Sequence, residues 1–428
     1  MEYQKIIRNW KEFKIPKTIP RRIELKIVPD FITTIIGPRR AGKTFLCFQK
    51  MNELIEKGTS RENILYINFE DDKLMNANAN DLEKLFETYL ENFNINKKQD
   101  IFLFLDEIQK VTHWDSWMRR IFDTKDNVRL ILTGSSSKLL SREISTNLRG
   151  RVYNIEVLPL SFKEYLDWKN QNLNMKSILQ GGKDSLIAKK YFKEYLSKGG
   201  YPVIFKNPEL KDEILQNYYD SMIFKDIIER HKILDVKKLQ ILAKLIFEST
   251  SKEISYTKLS NKLKSMGFSM GKSTIIDYIS YFEDAYLFFQ VLKYEYSLSK
   301  QLGSIKKSYC IDNGLLNSIS FKFSEDLGKL MENLVFLELH RRKNKIFYNR
   351  DKFECDFLIQ EKNKITQAFQ VCYKLNEENR DREINGLLEA MNKFNLEKGL
   401  ILTNDQEEEP SIEGKKIIIK PVWKWMVE

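Results

Sequence analysis

Eight consecutive residues, Gly37-Pro38-Arg39-Arg40-Ala41-Gly42-Lys43-Thr44, restrict this chain more than any other feature. A β-branched apolar run, residues 31 to 36 (FITTII), leads into them. A stretch with helical periodicity (TFLCFQKMNELIEKG) follows Lys43 and stops at Gly58. Strand, glycine loop and helix in that order make a cradle for phosphate. Glycines let successive backbone N–H groups turn toward the anion, and the N-terminus of the following helix adds its positive end. Lys43 supplies a point charge to the β- and γ-phosphates, and the Thr44 hydroxyl is a ligand for magnesium. The spacing predicts that residues Gly37, Pro38, Arg39, Arg40, Ala41, Gly42, Lys43 and Thr44 bind ATP with Mg2+.

Four further apolar runs follow, ILYINF (64 to 69), IFLFL (101 to 105), VRLILT (128 to 133) and VYNIEV (152 to 157). Helical or polar stretches separate them, which predicts a parallel α/β sheet with crossover helices. IFLFL ends in Asp106-Glu107, and a buried strand delivers such a pair beside the phosphates. Asp106 is expected to hold magnesium, and Glu107 to polarise the attacking water as general base. Without the glycine loop the same pair would read as a solvated acidic turn.

At 428 residues the chain exceeds what one hydrophobic core organises, so two or three domains are expected. Apolar residues at 42% exclude a disordered chain, and charged residues at 31% exclude a membrane protein. Residues 1 to 14 lack the apolar middle of a secretory signal, so a cytoplasmic location without a membrane partner is expected. The four cysteines contain no C-x-x-C pair and there are only three histidines, which argues against structural zinc or a disulfide framework. A net charge of +11 favours contact with phosphate-rich polymers.

After Pro159 the strand pattern gives way to helical periodicity over residues 161 to 250, broken at Gly181-Gly182 and at Gly199-Gly200-Tyr201-Pro202. Residues 238 to 310 then read as three helices followed by a hairpin, the winged-helix order. Lys272, Ser273 and Thr274 at the start of the third helix suit DNA contact, although Ile275, Ile276, Tyr278, Ile279 and Phe282 leave only a narrow face free. A protein partner is the alternative. From Gly328 a helix, short strands, a second helix and the strand GLILT form an α/β unit. The expected division is a P-loop ATPase core (1–158), a helical region (159–237), a winged helix (238–312) and an α/β domain (313–428).

One extra strand between the two phosphate-facing strands, with Glu directly after Asp, resembles the additional-strand group that contains AAA+ ATPases. In that resemblance VRLILT ends at a sensor position, where Thr133 or Ser135 contacts the γ-phosphate or attacking water; a Ser-rich cap for a helix near Lys138 is compatible with it. Arg149 or Arg151 is a candidate arginine finger for a neighbouring subunit, which implies a homo-oligomer, or else a surface cation.

The order GPRRAGKT, LDEIQKVTHW, LTGSSSKLL, LRGRVYNIEVLPLSFKEY, ENLVFLELHRR, ECDFLI and QVCY resembles the archaeal and bacterial family of AAA+ ATPases joined to a PD-(D/E)XK nuclease-like core. The resemblance implies ATP hydrolysis. It also implies a nuclease-type centre drawn from Glu332 and Glu338 on a helix, Asp356 on ECDFLI, and the next strand. There the E-x-K pattern has become Gln370-Val371-Cys372, although Lys374 could lean back toward the site if the strand continued. With one carboxylate missing, an inactive core kept for its fold or for binding is expected. The leading functional expectation is an ATPase that couples nucleotide state to DNA binding. The alternatives are a regulatory or signalling NTPase with protein partners, and an ATP-regulated nuclease.

Overall fold

Short β-branched and leucine-rich runs become parallel strands in a computed structural model, which describes residues 3–134, 146, 148, 150–170, 173–320 and 326–428. The chain divides into two compact units, Met1–Leu158 with Asp284–Tyr286, and Pro159–Glu283 with Leu287–Glu428.

The first unit carries β1 (Ile32–Ile36), β2 (Ile64–Asn68), β3 (Ile101–Asp106), β4 (Val128–Thr133) and β5 (Val152–Glu156). All pair in parallel, in the order β2-β3-β4-β1-β5. Every residue of β1 is buried, as a parallel strand covered on both faces requires. Helices α2 (Lys43–Glu56), α3 (Ala79–Asn92) and α4 (Trp114–Thr124) supply the connections, and α3 begins in an Asn78/Asp81 capping box. Strand β4 lies between β1 and β3, so the glycine-loop strand and the Asp106 strand are separated by one strand, as expected.

An N-terminal helix, α1 (Tyr3–Glu12), has no counterpart in the sequence reading. It buries Ile6, Ile7 and Trp10. The Trp10 indole donates to Ile64 O at 2.8 Å, and the Arg61 guanidinium stacks 3.7 Å from the Trp10 ring centroid.

The second unit opens with the expected helices, among them α5 (Phe162–Lys169), α6 (Met175–Leu179), α7 (Lys183–Lys198) and α8 (Lys211–Ser221), the last running on into a π-helical turn over Met222–Ile228. Next come α9 (Val236–Glu248), β6 (Glu253–Ile254), α10 (Tyr256–Ser265), α11 (Lys272–Asp284), β7 (Phe288–Lys293), α12 (Leu298–Gly303) and β8 (Lys306–Cys310). The C-terminal part holds α13 (Asn313–Ile319), α14 (Leu327–Arg341), β9 (Lys345–Arg350), β10 (Glu354–Glu361), β11 (Lys364–Val371), α15 (Arg380–Lys393), β12 (Lys398–Thr403), β13 (Ser411–Ile412), β14 (Lys415–Pro421) and α16 (Val422–Val427). One nine-stranded mixed sheet, β13-β14-β12-β11-β10-β9-β7-β8-β6, runs through all of this. The strands after residue 313 therefore continue the sheet begun by β6, β7 and β8, because β9 satisfies its edge by pairing in parallel with β7. Among the described residues, no helix is long and apolar enough to cross a membrane.

The glycine pair that interrupts the helical region has a steric cause. Gly199 has φ +75°, and a Cβ there would stand 2.1 Å from Asp312 Oδ1. Asp312 caps α13 by accepting from Leu315 N (3.0 Å), and it also accepts from Gly200 N (2.6 Å). Burial pushes the Asp312 carboxyl up to about 6, against the opposing pull of these N–H donors. Because the folded state binds this proton more tightly than the unfolded chain (3.8), the stabilising contribution is complete below pH 3.8 and is lost as pH rises through about 6. Denaturant titrations across pH 4 to 7 are expected to lose about 3 kcal/mol from this group. Asp312→Asn should flatten that dependence relative to wild type.

Candidate functional site

Residues Gly37 to Thr44 leave β1 and turn back into α2 under tight steric control. Gly37 adopts φ +145°, and a Cβ there would lie 2.1 Å from Val157 O. Gly42, at φ +102°, is the residue just before α2. Arg40 also takes a left-handed conformation, at φ 64°. Lys43 is buried, and its ammonium donates to Gly37 O and Pro38 O at 3.0 Å each, so the loop closes over its own lysine. Arg39 pairs with Glu70 at 3.4 Å.

Asp106, at the end of β3, is the centre of the polar cluster. It is 3% exposed, and burial raises its carboxyl above the usual range, with the Glu107 charge adding to the rise. Three hydroxyls favour its charged form. Thr133 donates to Oδ1, while Thr44 and Tyr66 donate to Oδ2, each at 2.8 Å. Thr133 also accepts from Glu107 N at 3.0 Å, so the end of β4 fixes both acidic residues. Glu107 is itself left-handed, at φ 57°, and the Gln109 amide donates to its carboxylate.

The structure thus brings together Gly37, Gly42, Lys43, Thr44, Asp106, Glu107 and Thr133. It does not bring Arg151 to them. Arg151 precedes β5, whose C-terminal end adjoins the glycine loop, so it sits a strand length away, about 16 Å for five residues. Its guanidinium pairs there with Asp123 and lies over the Phe122 ring. Ser135 and Arg149 lie outside the described residues.

Three neighbours of the cluster escaped sequence reasoning. Tyr66 lies in β2 with its ring against Trp10 and Phe48; the signal was a polar-tipped aromatic inside an otherwise aliphatic strand. Gln109 follows the acidic pair in a 3-10 turn. Arg21 sits in the irregular segment before β1, where no periodicity marks it. It is buried, and its guanidinium donates to Ala41 O (2.8 Å) and Leu158 O (2.9 Å), tying the glycine loop to the segment that follows β5.

The cluster can receive a magnesium nucleotide. One carboxylate and one hydroxyl are the protein share that Mg2+ takes beside phosphate and water oxygens, and the glycine loop offers N–H groups at a helix N-terminus. These residues fit the group that the sequence implies.

The second unit contains a separate polar cluster. Glu332 on α14 and Asp356 on β10 meet, as expected, but the cation between them is Lys307 of β8, which is 1% exposed. Its ammonium lies 2.9 Å from Asp356 Oδ1, 3.1 Å from Glu332 Oε1 and 2.5 Å from Glu354 Oε1. Burial alone would lower its pKa, but Asp356 and the other carboxylates hold it well above the ordinary lysine value. Gln370 accepts from Asp356 N at 3.3 Å and donates to Glu383. Two candidates fall elsewhere. Glu338 lies six residues beyond Glu332, about 240° around the helix, and pairs with Arg342 at 2.9 Å. Strand β11 ends at Val371, so the alternation that would have aimed Lys374 at the site does not continue, and Lys374 is exposed. Buried Cys372 makes its contact with Lys374 O at 3.1 Å.

Arg21→Ala would leave two buried carbonyls without their charged donor. It is expected to lower the stability of the first unit by about 2 to 4 kcal/mol in denaturant unfolding. The AAA domain family matches residues 30–166, and two domains of unknown function, DUF8612 and DUF4143, match residues 189–326 and 327–425. Among solved structures, the chain is similar to the Walker-type ATPase PABY2304 of Pyrococcus abyssi (TM-score 0.44, 12% identity, 74% of this chain and 94% of that one). It is also similar to Cdc6p of Pyrobaculum aerophilum (TM-score 0.28, 13% identity, 77% and 97%). An uncharacterized protein of Haemophilus influenzae is 30% identical over 92% of this chain and 94% of its own length. The uncharacterized protein MJ1544 of Methanocaldococcus jannaschii is 38% identical over 98% of this chain and 93% of its own. With that identity over nearly the full length of both chains, the protein belongs to one family with MJ1544, with an AAA domain at residues 30–166 followed by two domains of unknown function.

Proposed function

We propose that this protein hydrolyses ATP with Mg2+ in the Asp106 cluster and uses the nucleotide cycle to control DNA binding by its second unit. The observation that carries the first half is the convergence of Thr44 and Thr133 on the Asp106 carboxylate, beside a glycine loop that ends in Lys43. Lys43 exchanges its loop carbonyls for phosphate oxygens, and the loop N–H groups orient the phosphates. Thr44 and Asp106 hold the magnesium, which when bound neutralises charge developing on the phosphates. Glu107 orients and deprotonates the attacking water, and Gln109 holds its carboxylate. Thr133 fixes the spacing between the two acidic residues.

The second half rests on residues 236 to 310. The order of α9, β6, α10, α11, β7 and β8, with β8 paired to both β6 and β7, supports a winged-helix reading. Ile275, Ile279 and Phe282 of α11 are buried, while Lys272 and Ser273 are exposed, as are Lys258, Lys262 and Lys264 on α10. Exposed cations of that kind suit phosphate contact. One observation favours the alternative of a regulatory NTPase with a protein partner. The connection between β7 and β8 exposes Tyr296 (78%), Leu298 (68%) and Leu302 (56%) where a DNA-binding wing carries cations. The β9–β12 region is read as a nuclease-like core kept for its fold.

Glu107→Gln is expected to reduce ATP turnover by at least about 10²-fold while retaining nucleotide binding. Duplex DNA should raise wild-type turnover several-fold, with affinity that falls steeply as salt rises. Turnover unchanged in Glu107→Gln would remove the proposed base, and DNA that neither binds nor stimulates would leave the protein-partner reading. Tyr66→Phe removes one of the two donors to Asp106 Oδ2. It is expected to shift the Mg2+ dependence of turnover several-fold at saturating ATP, with Mg2+-free nucleotide binding unchanged.

A further inference from the structure

We infer that the Lys307 ammonium takes the place of a divalent cation in the second unit, and that the nuclease-like core is therefore a metal-independent centre. This rests on the nuclease-like reading of the C-terminal strands given above. A centre of that type needs carboxylates from a helix and two strands gathered about magnesium. Glu332, Asp356 and Glu354 are gathered, but around nitrogen.

The residues do not fit a metal, for four reasons. An ammonium has three N–H donors, and here each faces a different carboxylate, so the cation is saturated by the chain itself. The remaining acceptor positions are partly spent. Asp356 Oδ2 takes Val371 N at 2.9 Å, and the Tyr309 hydroxyl donates to Glu332 Oε1 at 2.8 Å. The amide of Gln370, which stands where the motif has a carboxylate, is turned to Glu383. Among the described residues, no group of three or more His, Cys, Asp or Glu side chains has the geometry to hold a metal ion.

The lysine does not come from the motif strand. Lys307 comes from β8, within the residues matched by DUF8612, whereas all three carboxylates lie within the residues matched by DUF4143. A lysine borrowed from a neighbouring region closes the carboxylate nest from outside the motif. Burying the Lys307 and Asp356 charges is costly unless they are paired. Lys307 offsets one of the three carboxylates and Arg350, 3.4 Å from Glu354, a second, so both cations at the centre are engaged by the chain and none is left for a phosphodiester to share.

The test measures Mn2+ binding to nucleotide-free full-length protein by the loss of the free-ion EPR signal. Wild type and Asp356→Asn should bind the same number of ions. Lys307→Met should gain one ion per chain, bound at least 10-fold tighter than anything Asp356 contributes in wild type, and Lys307→Met/Asp356→Asn should lose it again. If Lys307→Met does not fold without metal, thermal unfolding with and without Mn2+ gives the same readout. The ion should restore a cooperative transition in Lys307→Met and leave wild type unmoved. Wild-type Mn2+ binding that disappears in Asp356→Asn would overturn the inference, as would metal-dependent DNA cleavage abolished by that substitution. A Lys307→Met variant that gains neither an ion nor Mn2+-dependent folding would also overturn it, while leaving the nuclease-like reading of the fold standing. ATP turnover plays no part in these measurements, so they are independent of the ATPase reading.

Discussion

Everything at the edge of the first sheet is organised around one buried carboxylate. Asp106 has two oxygens, and hydroxyls from the glycine-loop helix, from β2 and from β4 converge on them. Three chain segments distant in sequence, the helix α2 and the strands β2 and β4, are thereby held to a common point. A carboxylate can do this because it accepts from several directions at once. The cost of burying it, visible in its raised pKa, is offset by those donors. Arg21 works from the opposite direction, clamping Ala41 O and Leu158 O, so the glycine loop is fixed both on its Asp106 side and at its back.

Legibility in the sequence follows from how local each task is. Gly37, Gly42, Lys43 and Thr44 perform theirs within a single turn, and the strand before and helix after announce that turn. Asp106-Glu107 could be read because a strand end delivers them. Tyr66 and Arg21 act across 40 and 20 residues respectively; the polar tip of Tyr66 in an aliphatic strand is its one local mark, and Arg21 has none that separates it from a surface cation. Helix α1 has an apolar face, but its significance depends on Trp10 reaching Ile64 O, again a remote partner. In the second unit, Glu332 and Asp356 were correctly placed together because their elements were recognisable. Strand alternation points to Lys374 only if β11 continues past Val371, where the strand stops. Arg151, expected as a finger for a neighbouring subunit or else a surface cation, pairs within its own chain with Asp123 and lies over Phe122.

The second unit shows a different principle, in which recognisable sequence regions do not coincide with independent structures. Helices α9 to α11 and strands β6 to β8 have a familiar order, and so do α14 and β9 to β12. Yet the two sets share one sheet through the parallel pairing of Leu292 with Phe347 and Lys293 with Tyr348. The ion cluster crosses the same seam, as do the side-chain bonds of Asn333, which donates to Cys310 O and Asn313 Oδ1.

This seam bears on how such a protein can change over time. A recombination event that replaced only the residues after 326 would leave β7 with an open edge and Lys307 as an unpaired cation in an apolar interior. The displaced segment, joined to a partner without that lysine, would in turn hold Glu332, Glu354 and Asp356 together with no ammonium between them. The two family domains are therefore expected to be inherited as a pair, and lineages carrying one without the other must have solved both problems by separate means.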